Sequence, residues 1–321
     1  MKLKSGLARL FGCIPSKKKS HRHHHHHRHV PNDADDFVSA FESPYHSESR
    51  VMGHQFPRDE TGESTPSWST ISAELFSVRI GPDYPSKGNK ASSASMLYRP
   101  LGFDSFKDDL NIVGNISTKL DFPDLPNYYD PSSELPALLI VCGQLPLEGP
   151  SLWGRSTPDP GVSHVFYFGI TEEACKWGCA HARGDSDYPP AVKVFKRLLQ
   201  RGFSDKELAF KIIGIIKDFE KQNIPMASML KKYNGKPATV TASGKFTRGS
   251  APYDFLEVDF DLRKWNLIAR TAVPQLKDKA RELTIDFACL VEATEDEDLP
   301  ERVLGAVRVK GLDWNKAEYL E

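Results

Sequence analysis

Hydrophobic and polar positions alternate most regularly between Phe255 and Leu262. Leu256, Val258, Phe260 and Leu262 fall on one face, and Phe255, Glu257, Asp259 and Asp261 on the other. Period two marks a half-buried strand, so the acidic side is expected to face water. Leu283, Ile285, Phe287, Cys289 and Val291 repeat the alternation against Thr284, Asp286, Ala288 and Glu292. Leu290 interrupts the polar set and predicts a strand covered on both faces. Between the two, Val273, Leu276 and Ala280 stand at helical spacing, with Pro274 acceptable near a helix start. A charged turn, EDEDLP, leads into a third strand over Val303–Val309. The last two strands lie close in sequence and predict an antiparallel hairpin.

Upstream, Phe76–Ile80 reads as a strand and Gly81–Ala94 as a loop. Gly102, Gly114, Pro123 and Pro126 interrupt the stretch from Met96 to Tyr129, which gives no firm element. The apolar run from Ala137 to Gln144 predicts a buried central strand, and the aromatic-rich Ser163–Ile170 a strand that pairs with it. Pro190 opens a helix whose stripe is Val194, Phe195, Leu198 and Leu199, closed by Gly202. Ser204-Asp205-Lys206-Glu207 is a capping box for a second helix carrying Leu208, Ile212, Ile215, Ile216 and Phe219. The expected fold is α+β. A mainly antiparallel, curved sheet carries a helical hairpin and a C-terminal helix, preceded by a disordered N-terminal tail.

Composition divides the chain further. It has 321 residues, 39% hydrophobic and 26% charged, as in an ordinary globular protein. The formal net charge of −1 implies no nucleic-acid partner. The longest apolar run is far short of the ~20 residues that span a membrane. Five scattered cysteines argue for free thiols in a reducing compartment. No signal peptide is expected. Residues 1–29 form a basic, His-rich tail, 30–67 an acidic Ser/Pro-rich linker that should not order itself, and 68–321 the globular domain. Ser43-Pro44 and Thr65-Pro66 offer proline-directed phosphorylation sites within the linker.

The tail supplies the first candidate binding residues. Leu3, Leu7, Leu10, Phe11 and Ile14 fall on one helical face, with Lys2, Lys4 and Arg9 off it. Such a helix can lie in the headgroup layer of an anionic membrane, and Lys17, Lys18 and Lys19 would each add about 1 kcal/mol of attraction. Cys13 stands where a palmitate would anchor it. A disordered basic tail and a mitochondrial presequence are the alternatives, and Gly6, Gly12 and Pro15 weaken every helical version. His23, His24, His25, His26 and His27 belong to a nine-residue tract with affinity for zinc, copper or nickel. The tract lacks the fixed spacing and mixed ligands of a structural zinc site.

Within the globular part, Lys193, Lys196, Arg197 and Arg201 give the Pro190 helix a basic outer face. That face suits either water or an anionic lipid headgroup. Cys175, Cys179 and His181 are spaced like part of a metal site, without an apparent fourth ligand. Glu257, Asp259 and Asp261 line one strand face and have the chemistry of an acid–base set, although solvated carboxylates are the simpler reading. His164 has the chemistry of a general base, with no nucleophilic partner assignable from sequence. No catalytic residue and no cofactor are assigned.

Several ordered motifs resemble the C-terminal domain of the plant "enhanced disease resistance two" family. They are Phe76-Ser77-Val78-Arg79 with Gly81 and Tyr84, then Leu135 to Val141 followed by Gln144-Leu145-Pro146. Tyr233-Asn234-Gly235-Lys236-Pro237, Phe255-Leu256-Glu257-Val258-Asp259 and Leu299-Pro300-Glu301-Arg302-Val303-Leu304-Gly305 complete the set. The resemblance covers roughly Trp68 to Leu312. Larger members of that family carry a phosphoinositide-binding pleckstrin-homology domain and a lipid-transfer START domain, for which this chain has no room. The resemblance therefore implies a non-enzymatic, membrane-associated regulatory module, cytoplasmic and peripheral on the cytosolic face of a membrane. Its expected partner is an anionic or phosphoinositide-containing surface, with a bound lipid as the further option. A mitochondrial location, a ligand-free protein scaffold and a hydrolase-like enzyme remain as alternatives.

Overall fold

The structure is a computed structural model. It describes residues 50–320 except 109–113, 151–159, 186, 203–207, 242 and 293–294. The expectations for Lys2, Lys4, Arg9, Cys13, Lys17, Lys18, Lys19, the histidine tract and the capping box at Ser204 lie outside the described residues.

In chain order the strands and helices are β1 (Ser67–Ser69), β2 (Ser77–Arg79), α1 (Tyr84–Lys87), β3 (Lys90–Ser92), β4 (Tyr98–Asp108), β5 (Leu138–Pro146) and β6 (Gly161–Ile170). Then come α2 (Glu172–Ala182), α3 (Pro190–Arg201), β7 (Ala209–Ile216), α4 (Ala227–Leu230), β8 (Ala238–Thr239) and β9 (Gly244–Gly249). The last are β10 (Phe255–Asp261), α5 (Leu267–Ala272), β11 (Thr284–Glu292), β12 (Val303–Lys310) and β13 (Glu318–Tyr319). One curled sheet runs β8-β7-β11-β12-β4-β6-β5-β10-β9, with β1 on β12 and β13 on β4; β2 and β3 form a separate pair. Most pairs are antiparallel, as expected, and β5–β10, β12–β4 and β13–β4 are parallel.

The family-like motifs meet in three dimensions. β10 lies parallel to β5, with Phe255 opposite Leu138 and Asp259 opposite Cys142. Arg79 and Glu301 join the opening motif to the Leu-Pro-Glu-Arg motif. The Glu301 carboxylate accepts from the Arg79 backbone N–H at 2.9 Å and from its Nε at 2.7 Å. Asn234 clamps the end of β7, accepting from the Ile216 N–H at 2.7 Å and donating to its carbonyl at 3.2 Å. The sheet is lined by side chains on both faces, and on the helix-covered face Phe166 stacks on Phe287 with ring centroids 4.1 Å apart.

Four sequence expectations change. The second helix of the predicted hairpin is strand β7. Leu208, Phe210 and Ile212 join the core under α2 and α3, while Ile213 and Ile215 pack against the small sheet. A strand buried on both faces superposes two period-two sets, which imitates helical spacing, and four isoleucines favour the pleated form. The helical layer is α2 and α3 instead. The predicted helix over Val273–Glu282 is a pair of 3₁₀ turns, and α5 precedes it. The loop expected from Gly81 to Ala94 carries α1 and β3. Residues 50–67, expected to be unordered linker, are part of the fold. Met52 is buried, the Gly53 and Gln55 N–H groups donate to Asp104 at 2.7 and 2.9 Å, and Arg58 bridges to Trp68.

The longest strand, β4, had no clear signature because Pro100 and Gly102 punctuate it. Pro100 sits at a register shift, and Gly102 is where the Gly53 backbone crosses; a Cβ there would lie 2.3 Å from the Gly53 Cα.

Candidate functional site

Chemistry-bearing side chains meet in three places. The first lies under β10. The expectation that Glu257, Asp259 and Asp261 face water is overturned: all seven residues of β10 are buried. The acidic face is covered by the turn at Asn115–Thr118, whose backbone donors it satisfies. Glu257, fully buried, accepts from the Ile116 N–H at 2.6 Å, the Ser117 N–H at 3.1 Å and the Ser117 hydroxyl at 2.5 Å. Asp259 accepts from the Asn115 N–H at 3.3 Å, and its Oδ1 has no partner among the described residues. Burial and then the neighbouring Glu257 charge push its carboxyl up to about 7. Burial also drives the adjacent Cys142 thiol well above its ordinary range. Asp261 holds the Arg263 guanidinium at 3.1 Å. These carboxylates act as anchors for backbone and for a neighbouring cation, in the manner of a buried acceptor that a covering loop requires.

The second place is Ser105 and His164. The Ser105 Oγ lies 3.1 Å from His164 Nδ1, with Phe103 and Trp314 rings packed against the imidazole. Both residues are buried, and His164 Nε2 has no partner among the described residues. Burial lowers the imidazole to about 3. This is the nucleophilic partner that sequence could not assign; the signal would have been the antiparallel register of β4 and β6, which places the two opposite each other. A base so weakened is far from the range in which general-base catalysis is efficient at neutral pH.

The third is a cleft of about 430 Å³ lined by Tyr188, Lys193, Lys196, Arg197 and Gln200 from α3 and its approach, His181 from α2, and Glu297 and Asp298 from the turn before β12. Helix α3 is placed by its apolar stripe. Val194, Phe195, Leu198 and Leu199 are buried, so the basic residues of the intervening positions face outward or sideways. Lys196 contacts Glu134 and His181, and Arg197 pairs with Asp298. The Lys193 ammonium sits 5.6 Å from the centre of the Tyr188 ring, and His181 meets the same ring edge-on at 5.2 Å. Arg201 is exposed at the end of the helix, outside the cleft lining. Sequence reading found the α3 cations but not Glu134 or Tyr188, and it named His181 and the acidic turn in other roles; only the fold brings all four alongside α3.

The metal-like triplet is not assembled. Cys175 Sγ accepts from the Asp130 N–H at 3.4 Å, Cys179 Sγ from the Ser132 hydroxyl at 3.7 Å, and His181 turns to Glu134 and Lys196. Among the described residues no group of three or more His, Cys, Asp or Glu side chains is placed to hold a metal ion. The four described cysteines are buried, and none of them forms a disulfide. No helix among the described residues is long and apolar enough to cross a membrane.

The fold and these sites define an α+β domain on one curled mixed sheet, with buried carboxylates that fasten its loops and a cationic cleft on its helical side. The chain belongs to the Enhanced Disease Resistance 2 C-terminal family: the family model described as "Protein ENHANCED DISEASE RESISTANCE 2, C-terminal" matches residues 68–313. No curated protein and no solved structure matches it.

Proposed function

We propose that this domain is a non-enzymatic, peripheral module that associates with an anionic membrane surface on its cytosolic side. The observation that supports this is the α3 cleft, where Lys193, Lys196 and Arg197 stand around an open volume with Tyr188 and Gln200. Glu134 and Asp298 hold Lys196 and Arg197 in position. Lys193 has no ion pair among the described residues and leads the approach of a phosphate. A headgroup phosphate would bridge Lys193 and Lys196, and exchange with the carboxylates would set the affinity. The basic tail at Lys2, Lys4, Arg9, Lys17, Lys18 and Lys19 is the second contact in this reading, with Cys13 as its anchor.

The test is sedimentation of the full chain with anionic vesicles. Each cation near such a surface is worth about 1 kcal/mol, so a Lys193→Ala/Arg201→Ala chain should bind roughly thirtyfold more weakly, with a shallower salt dependence. Both side chains are exposed, so the fold is expected to survive. Binding equal to that of the native chain would remove α3 from the account.

A further inference from the structure

The opposite chemistry of membrane contact, apolar insertion, has its own candidate at the far end of β7 and β11. There the small cluster of Phe219, Ile224 and Leu283 ties the β7–β8 connection to the turns that follow α5, and α4 touches α5. Leu267, on the first turn of α5, is 66% exposed, while Ala269 and Ala272 carry the buried side of that helix. Met226 and Met229 are only partly buried on α4 and its cap. Asp218, Asn223 and Met226 all take left-handed backbone conformations, with φ of 49°, 45° and 57°. A methionine pays for that conformation, and a sparsely populated backbone state held in an exposed connection points to a functional constraint.

The two segments that meet here are rich in cations. Residues 217–236 and 263–282 carry eleven Lys and Arg against four Asp and Glu, whereas the whole chain carries 42 against 43. Lys217, Lys232, Lys236, Arg270 and Lys277 sit in no ion pair among the described residues. An exposed leucine and two half-buried methionines on segments rich in cations match the boundary between anionic headgroups and acyl chains, where each half of the pattern finds its partner.

We propose that the α4–α5 end of the domain is a membrane-inserting face, with Leu267, Met226 and Met229 entering the acyl boundary of an anionic bilayer and lysines of the same two segments contacting its headgroups. This rests on the membrane reading above and adds a site to it.

Hydrogen exchange of the full chain, with and without vesicles containing about one-third phosphatidylserine, locates the contact. The expected result is protection of amides in residues 226–232 and 264–272 by vesicles. Leu267→Glu should lower vesicle partitioning at least tenfold and leave only binding that salt releases. Because Leu267 is exposed, an unchanged thermal midpoint checks that this variant folds. Vesicle binding with no protection at this face, or with Leu267→Glu behaving as native, would overturn this inference and leave the α3 proposal standing. No vesicle binding at all would overturn both. Protection that appears without vesicles as the protein is concentrated would assign the face to a second copy of the chain and overturn the inference too.

Discussion

Replacing Glu257 by Ala is expected to destabilise the domain by about 3–5 kcal/mol, a large share of the roughly 5–15 kcal/mol that holds a domain folded. The side chain is fully buried and accepts three hydrogen bonds from one turn. Truncation leaves the Ile116 and Ser117 N–H groups and the Ser117 hydroxyl facing a void that offers no acceptor. Each such donor costs about 1–3 kcal/mol when it stays dry, and the removal of a buried charge beside Asp259 offsets part of the sum. Urea unfolding measures the loss. A cost below about 1 kcal/mol would show that the turn is not fastened through Glu257. Glu257→Gln keeps one acceptor oxygen and the shape, so it should cost less than the alanine.

Asp259→Asn is expected to raise stability at pH 8 by about 2 kcal/mol and to leave it nearly unchanged at pH 4. The sign follows from the raised carboxyl, held near 7 by burial and by the Glu257 charge. Between about 4 and 7 the folded chain keeps a proton that the unfolded chain has lost. Stability therefore falls as pH rises through that window and is flat above it. His164 has the opposite slope. Its imidazole, lowered to about 3, is neutral in the fold while the unfolded chain takes up a proton below about 6.5, so its contribution is lost as pH falls. The two slopes overlap and partly cancel in the native protein. The asparagine variant should tip the balance toward the His164 slope, which Asp104, also raised by burial, still opposes in part, so that stability declines more steeply below pH ~6.5 than in the native protein in urea melts. A native-like pH profile in the variant would contradict the assignment to Asp259.

Much of the fold was legible where a strand shows a period-two alternation, as β11 does, or an unbroken apolar or aromatic run, as β5 and β6 do. β5, β6, β11 and β12 and the stripe of α3 were read within a few residues of their observed limits. The reading failed where a covered face carries a misleading pattern. β7 was taken for a helix because its two apolar faces together space out as i, i+3 and i+4. β10 alternates as a half-wet strand does, yet its acidic face is dry, since Asn115, Ile116 and Ser117 deliver N–H groups to it. Nothing in the alternation distinguishes a carboxylate that meets water from one that meets a turn. β4 was hidden by Pro100 and Gly102, residues placed by the crossing of the Gly53 segment. That segment itself read as linker because its attachment runs through backbone N–H groups to Asp104 rather than through apolar side chains.

The candidate site was half legible. Lys193, Lys196 and Arg197 stand out on any helical projection, and their outward direction follows from the buried stripe. Their partners come from far along the chain, Glu134 from the approach to β5 and Asp298 from the approach to β12. Those carboxylates change the chemistry of the face from a free cationic strip to a set of positioned cations. In the proposed membrane reading, they are also why exchange with a phosphate, rather than simple attraction, should set the affinity.

The proposed association is with an anionic bilayer. The most direct measurement is co-sedimentation of the full chain with neutral, phosphatidylserine-containing and phosphoinositide-containing vesicles across a range of salt. The expected result is binding to the anionic vesicles alone, weakened by salt and lessened when Lys193 and Arg201 become alanine. A chain that stays in the supernatant with every vesicle at low salt, or that binds neutral and anionic vesicles equally, would contradict the account.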